Sequence, residues 1–228
     1  MLQKTRGLVL NNLRYRETSV IVRIYTEEFG LQSYIENGVR SAKGRNKAAL
    51  FQPLTLLDLV VYHKDSGGIQ RLSEMKCNYP FSSIPFEIAK SVIALFLTEI
   101  LSKTLKEETG NPALFKFLNQ SVIWLDEAKS QYENFHLIFL MQLAFFLGFA
   151  PQRGEEIAEQ LSEQGFPVFD DEAIRLLNEL TSAQYDQALR MDRSMRNYLL
   201  EVLLKFYELH ADGLGEIKSL AVVQEVMR

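Results

Sequence analysis

The hydrophobic period of this chain changes once, at Asn78-Tyr79-Pro80. Before that point apolar residues come in short β-branched or aromatic runs, the mark of strands. After it they recur at helical spacing. The runs are Leu8-Val9-Leu10, Val20 to Tyr25, Leu31 to Ile35, Leu54 to Tyr62 and Ile69 to Met75. Turn-forming residues separate them at Arg16-Glu17-Thr18, Phe29-Gly30, Gly38 to Gly44 and Ser66-Gly67-Gly68. Five short strands in about eighty residues suit a small closed barrel. The OB-fold is the common five-stranded example, and an SH3-like barrel fits the pattern nearly as well.

Beyond Pro80 a helix is expected from about Phe86 to Leu105, apolar on most sides and therefore central. Asn111-Pro112 reads as an N-cap with proline in the first helical position. A further helix from about Glu133 is ended by Gly148 and Pro151. Its stretch Phe135–Ala150 is too short and too interrupted to cross a bilayer, so a buried core helix is the better reading. Residues 152–169 read as an irregular excursion. Helices resume at Asp170-Asp171-Glu172, and a long one runs from Asp192 to His210. The fold class is thus α+β: a barrel domain over residues 1–80 and an all-helical domain over 81–228.

Charge divides in the same way. Residues 1–80 carry 12 Lys/Arg against 7 Asp/Glu, whereas residues 81–228 carry 13 against 22. A basic half beside an acidic one hints at a nucleic-acid surface on the former. Little supports catalysis: there is no phosphate-binding loop, no nucleophile elbow, and His63, His136 and His210 lie far apart. The carboxylates Glu155-Glu156 and Asp170-Asp171-Glu172 read as helix starts and solvated faces. Neither a metal nor a cofactor is expected. One cysteine, Cys77, excludes an internal disulfide and fits a reducing cytoplasm.

The densest local signal is Arg40, Lys43, Arg45 and Lys47, four cations in eight residues without an acid, between the third and fourth strands. Phosphates are neutralised by such point charges. Arg6, Arg14, Arg16 and Arg23 extend the patch, and Tyr15, Tyr25, Tyr34 and Tyr62 are candidate platforms for stacked bases. A solvated turn and ordinary strand packing explain the same residues without DNA.

Several segments together resemble the bacterial RecO family. They are Thr5-Arg6-Gly7-Leu8-Val9-Leu10, Tyr15 to Val22, Tyr25 to Leu31, Gly38 to Lys43, and Phe51 to Leu57. Asn111 to Phe115, Leu147 to Pro151 and Ile217 to Leu220 continue the likeness in order, over nearly the whole chain. The resemblance implies an N-terminal OB-fold followed by a helical domain, and a non-catalytic mediator of homologous recombination and DNA repair. It implies binding to single- and double-stranded DNA, annealing of complementary strands, and partnership with RecR. It also implies contact with single-stranded-DNA-binding protein and, indirectly, with RecA during recombinase loading. Many RecO proteins carry two Cys-x-x-Cys pairs just after the Gly-x-x-Pro landmark. Residues 152–169 contain no cysteine, so a structural zinc is not expected; either packing does its work or the excursion is shorter and looser. The alternative function is a protein adaptor without direct DNA binding, with Arg190, Arg193, Arg196 and Lys205 near Tyr198 and Phe206 receiving an acidic tail.

Overall fold

The computed structural model describes residues 1–39, 45–64, 67–167 and 169–227; of Arg45 and Asn46 it describes the backbone alone. Its chain order begins with β1 (Leu2–Tyr15), β2 (Ser19–Thr26), β3 (Gly30–Glu36), α1 (Arg45–Ala49), β4 (Leu56–Tyr62) and β5 (Ile69–Tyr79). The five strands close into a barrel ordered β1-β2-β3-β5-β4, antiparallel throughout except for the parallel β3–β5 pair. A five-stranded closed barrel with a helix between its third and fourth strands is the OB arrangement, and the SH3-like alternative falls away.

Closure depends on β1, which pairs with β4 through Leu2–Leu8 and with β2 through Gly7–Tyr15. The register shifts between Val9 and Asn11, so the strand bends as it passes from one neighbour to the other. Val9 joins the barrel core with Val22, Ile24, Tyr34, Leu57, Leu59 and Val61. Leu8 and Leu10 are just as deeply buried, because α2 (Ile88–Thr104) packs against β1.

Two compact units emerge, Met1–Asp126 and Glu127–Arg228. The expected boundary at residue 80 marks where strands end. It does not mark where packing ends, since α2 and α3 (Pro112–Glu127) group with the barrel up to Asp126. The expected cap is present: Asn111 Oδ1 accepts from the Leu114 amide at 3.0 Å. The connection between α2 and α3 lies directly on the β2–β3 turn, with the Leu31 amide donating to Glu107 O at 2.9 Å. Approach is so close that a Cβ on Gly110 would stand 2.3 Å from Glu28 O, and one on Gly30 (φ +61°) 2.5 Å from Glu107 O. Backbone atoms cannot swing away. Gly110→Ala should therefore cost about 1–3 kcal/mol by overpacking, read as a lowered denaturant midpoint.

Asp126 ties the start of the α2 segment to the end of α3. Its carboxylate accepts from the amides of Ser82 (2.8 Å), Ser83 (2.9 Å) and Ile84 (2.9 Å) and from the Ser82 hydroxyl (3.0 Å). Beside it the buried Lys90 ammonium donates to Ser83 Oγ at 2.7 Å and to Asp126 O at 3.3 Å. Burial pushes the Asp126 carboxyl up, but the donors from Ile84, Ser82 and Ser83 together outweigh it and hold the group below its ordinary value.

The second unit is helical: α4 (Phe135–Leu147), α5 (Gly154–Glu163), α6 (Asp171–Ser182), α7 (Arg193–His210) and α8 (Leu220–Val226). Nine of the thirteen α4 residues are buried, as a core helix requires. Among the described residues no helix is long and apolar enough to cross a membrane. His136 lies fully inside, where burial and then the nearby Arg196 charge pull it down to about 3, so it is neutral. Tyr207 on α7 donates to Leu140 O of α4 at 2.6 Å.

The excursion over 152–169 is not irregular. It contains α5, whose Ile157 and Leu161 are buried one turn apart and whose first turn carries Glu155 and Glu156. Polar composition hid this helix, because only two positions need to face inward. Gly154 allows α5 to meet α6 closely, for a Cβ there would lie 2.7 Å from Leu177 Cβ. The chain after α5 is closed by three rings, Phe166, Phe169 and Tyr198, with centroids 5.7 to 6.4 Å apart. Residues 152–169 do not fit a four-ligand zinc site: they hold no cysteine, and no metal-holding cluster of His, Cys, Asp or Glu occurs among the described residues.

Candidate nucleic-acid interface

The closed order of the barrel brings the β1–β2 turn and the β4–β5 connection to one cleft of about 590 Å³. Three cations line it: Arg16 from the turn, Lys64 from the connection and Arg71 from β5. Tyr15 and Tyr62 supply rings, and Ile35 and Ile69 supply apolar surface. Among the described residues lining the cleft none is acidic, though Glu108 approaches its rim at Gly67.

Each cation is placed by local structure. Arg16 occupies the left-handed region (φ 54°) and its guanidinium sits 5.2 Å from the Tyr15 ring centroid. Lys64 follows a fastened stretch: the His63 amide donates to Met1 O, the His63 ring stacks on Phe29 at 3.9 Å, and the buried Gln70 donates to Lys64 O at 2.9 Å. Arg71 stands at the junction of two pairings, opposite Ile35 in the parallel pair and Tyr62 in the antiparallel one. Tyr62 is 47% exposed and Ile69 54%. Such a site offers charge to phosphates and flat apolar faces to bases, two features that bind a strand without reading its sequence.

Of the residues expected from the sequence, the cation Arg16 and the rings Tyr15 and Tyr62 reach the cleft. Arg14 is exposed on β1 and Arg23 half-buried on β2, and neither lines it. Arg40 and Lys43 lie outside the described residues, as does the Arg45 side chain. Lys47 is on α1, and its ammonium is held by Glu36 at 2.6 Å. Arg6 is also engaged, with a two-pronged bond to Glu27 and its guanidinium 5.2 Å from the Phe115 ring. That bond raises the Arg6 pKa and lowers that of Glu27.

Tyr34 is not a stacking platform. It is fully buried in the barrel core opposite Val22, and burial pushes its phenol well up. The pleat that brings Val22 and Ile24 inward brings Tyr34 with them. Tyr25 is buried too, its phenol pushed up to about 12 by burial and then by Glu107. Lys64 and Arg71 are not marked in the sequence, because each is a lone cation outside any basic run. Their one signal was position, either side of Gly67-Gly68 and next to the ends of β4 and β5. Tyr62→Ala should accordingly weaken single-strand binding about fivefold or more, while Tyr34→Phe leaves it unchanged, both read by fluorescence anisotropy.

Of the helical candidates, Arg190 is exposed, while Arg193, Arg196, Lys205 and Phe206 are engaged within the helical unit. Arg196 is buried and donates to Asn134 Oδ1 at 2.8 Å, Arg193 donates to Gln224 O and Glu225 O, Lys205 pairs with Glu208 at 2.8 Å, and Phe206 is in the core.

The barrel is an OB-type domain, and helices follow it in the chain. Comparison with known proteins specifies it further. The family described as Recombination protein O N terminal matches residues 1–81, and Recombination protein O C terminal matches residues 85–221. The DNA repair protein RecO of Bacteroides fragilis is 38% identical across 99% of each chain. That of Phocaeicola vulgatus is 37% identical, again across 99% of each, and that of Flavobacterium psychrophilum 35% across 98%. The chain belongs to the recombination protein O family, a family of DNA repair proteins.

Proposed function

We propose that this chain is a non-catalytic DNA-binding mediator of recombination and repair, acting in the cytoplasm. It holds single- and double-stranded DNA on the barrel, anneals complementary strands and, with RecR, helps to load RecA onto strands covered by single-stranded-DNA-binding protein. The observation that carries this reading is the cleft in which Arg16, Lys64 and Arg71 surround Tyr15 and Tyr62. Phosphate neutralisation would provide affinity for any sequence, and ring stacking would favour unpaired bases. Arg14, Arg23, Arg40, Lys43, Arg45 and Lys47 would add further charge for phosphates.

Competition and positioning suffice for this role, and no bond-breaking residue is required. A gel-shift with labelled single-stranded DNA at low and moderate salt is the direct test. The proposal expects a shift that weakens steeply as salt rises, because bound phosphates release counter-ions. No shift at either salt would instead favour the adaptor reading, in which the chain docks proteins without direct DNA binding.

A further inference from the structure

Glu36 ends β3 between the cleft residues Ile35 and Asn37, but strand alternation turns it to the opposite face, where with Lys47, Leu50, Leu72 and Glu74 it lines a neighbouring hollow of about 380 Å³. Its side chain is only 12% exposed, and its Oε1 lies 2.6 Å from the Lys47 ammonium, whose side chain is 49% exposed. Lys47 therefore has the freedom of a surface lysine at its tip but is already neutralised by an acid fixed on the barrel.

We infer that Glu36 is an affinity-limiting residue of the DNA interface: its carboxylate stands in for a phosphate at Lys47, and a strand must displace it to recruit that lysine. This rests on the DNA-binding reading above. Two anions compete for one ammonium, and the carboxylate is the better placed, since a nearly buried side chain on a strand has little freedom left to lose. The pair is not needed to hold α1 down. Phe51, just after α1, is buried in the barrel core with Leu50 packed against that core, and the Asn12 side-chain amide donates to Phe51 O at 2.9 Å. A mediator that must pass its strand on is served by a cation that does not grip permanently.

The test is an anisotropy titration of a fluorescein-labelled oligo-dT strand with wild type, Glu36→Gln, Lys47→Ala and the double variant. Glu159→Gln on the exposed side of α5 serves as a charge control. Glu36→Gln should bind about two- to fivefold tighter, the range that an exposed ion pair spans. That gain should vanish in the Lys47→Ala background and be absent in Glu159→Gln. A gain that persists without Lys47 overturns the inference, as does no gain at all. A lowered melting temperature for Glu36→Gln without tighter binding would assign the pair to anchoring α1, and also overturns it. If wild type itself fails to bind, the DNA reading falls; if wild type binds and Glu36→Gln binds no tighter, only the role of Glu36 falls.

Discussion

Replacing Arg16, Lys64 and Arg71 together by alanine should weaken single-stranded DNA binding at least tenfold at moderate salt and make its salt dependence shallower. Three phosphate contacts on a single strand correspond to a change of about two in the slope of log affinity against log salt. The loss should be similar for strands of different sequence, because cations that meet phosphates carry no base information. All three side chains line an open cleft, so melting behaviour should stay near that of wild type. A matching set, Arg40, Lys43, Arg45 and Lys47 to alanine, weighs the basic segment against the cleft. On the proposed reading the cleft set is the more damaging, since one member of the segment, Lys47, is already neutralised by Glu36.

Asp126→Ala should destabilise the Met1–Asp126 unit by about 3–5 kcal/mol, the cost of removing one partner from a buried charged network. Three amides and a hydroxyl lose their acceptor, while the buried Lys90 keeps the residue-126 carbonyl, the Ser83 hydroxyl and the Glu87 carboxylate. Thermal melting followed by circular dichroism should fall by about 10 °C or more. Acid should act in the same direction. The folded carboxyl titrates below its ordinary value, so its contribution is complete above the unfolded carboxylate range near 4. It is lost as pH drops through the lower folded value. Wild type should thus lose more stability than Asp126→Asn between about pH 5 and 2. An equal loss in both would place the acid sensitivity elsewhere.

These predictions draw unequally on what the sequence displayed. The barrel-then-helices order was legible because the switch of period at Asn78-Tyr79-Pro80 is local, and so are the cap at Asn111 and the stop at Gly148. The helix α5 was not, since its inward stripe is just Ile157 and Leu161 amid polar residues. The burial of Tyr34 depends on strand parity, which adjacent buried residues such as Leu31 and Gln32 obscure. The cleft was hardest to see. It exists because β5 inserts between β3 and β4, setting Arg71 beside Ile35 although they are far apart in the chain. A cluster of cations in sequence is visible at a glance, while a cluster made by closure of a barrel requires the register.

The most direct measurement is photo-cross-linking of a single strand carrying 5-iodouracil, followed by mass spectrometry of the adducts. Adducts at Tyr62 or Tyr15, suppressed by competing unlabelled strand and by salt, are the predicted outcome. Adducts confined to Glu127–Arg228, or none at a concentration where the strand is bound, would contradict the assignment of the cleft.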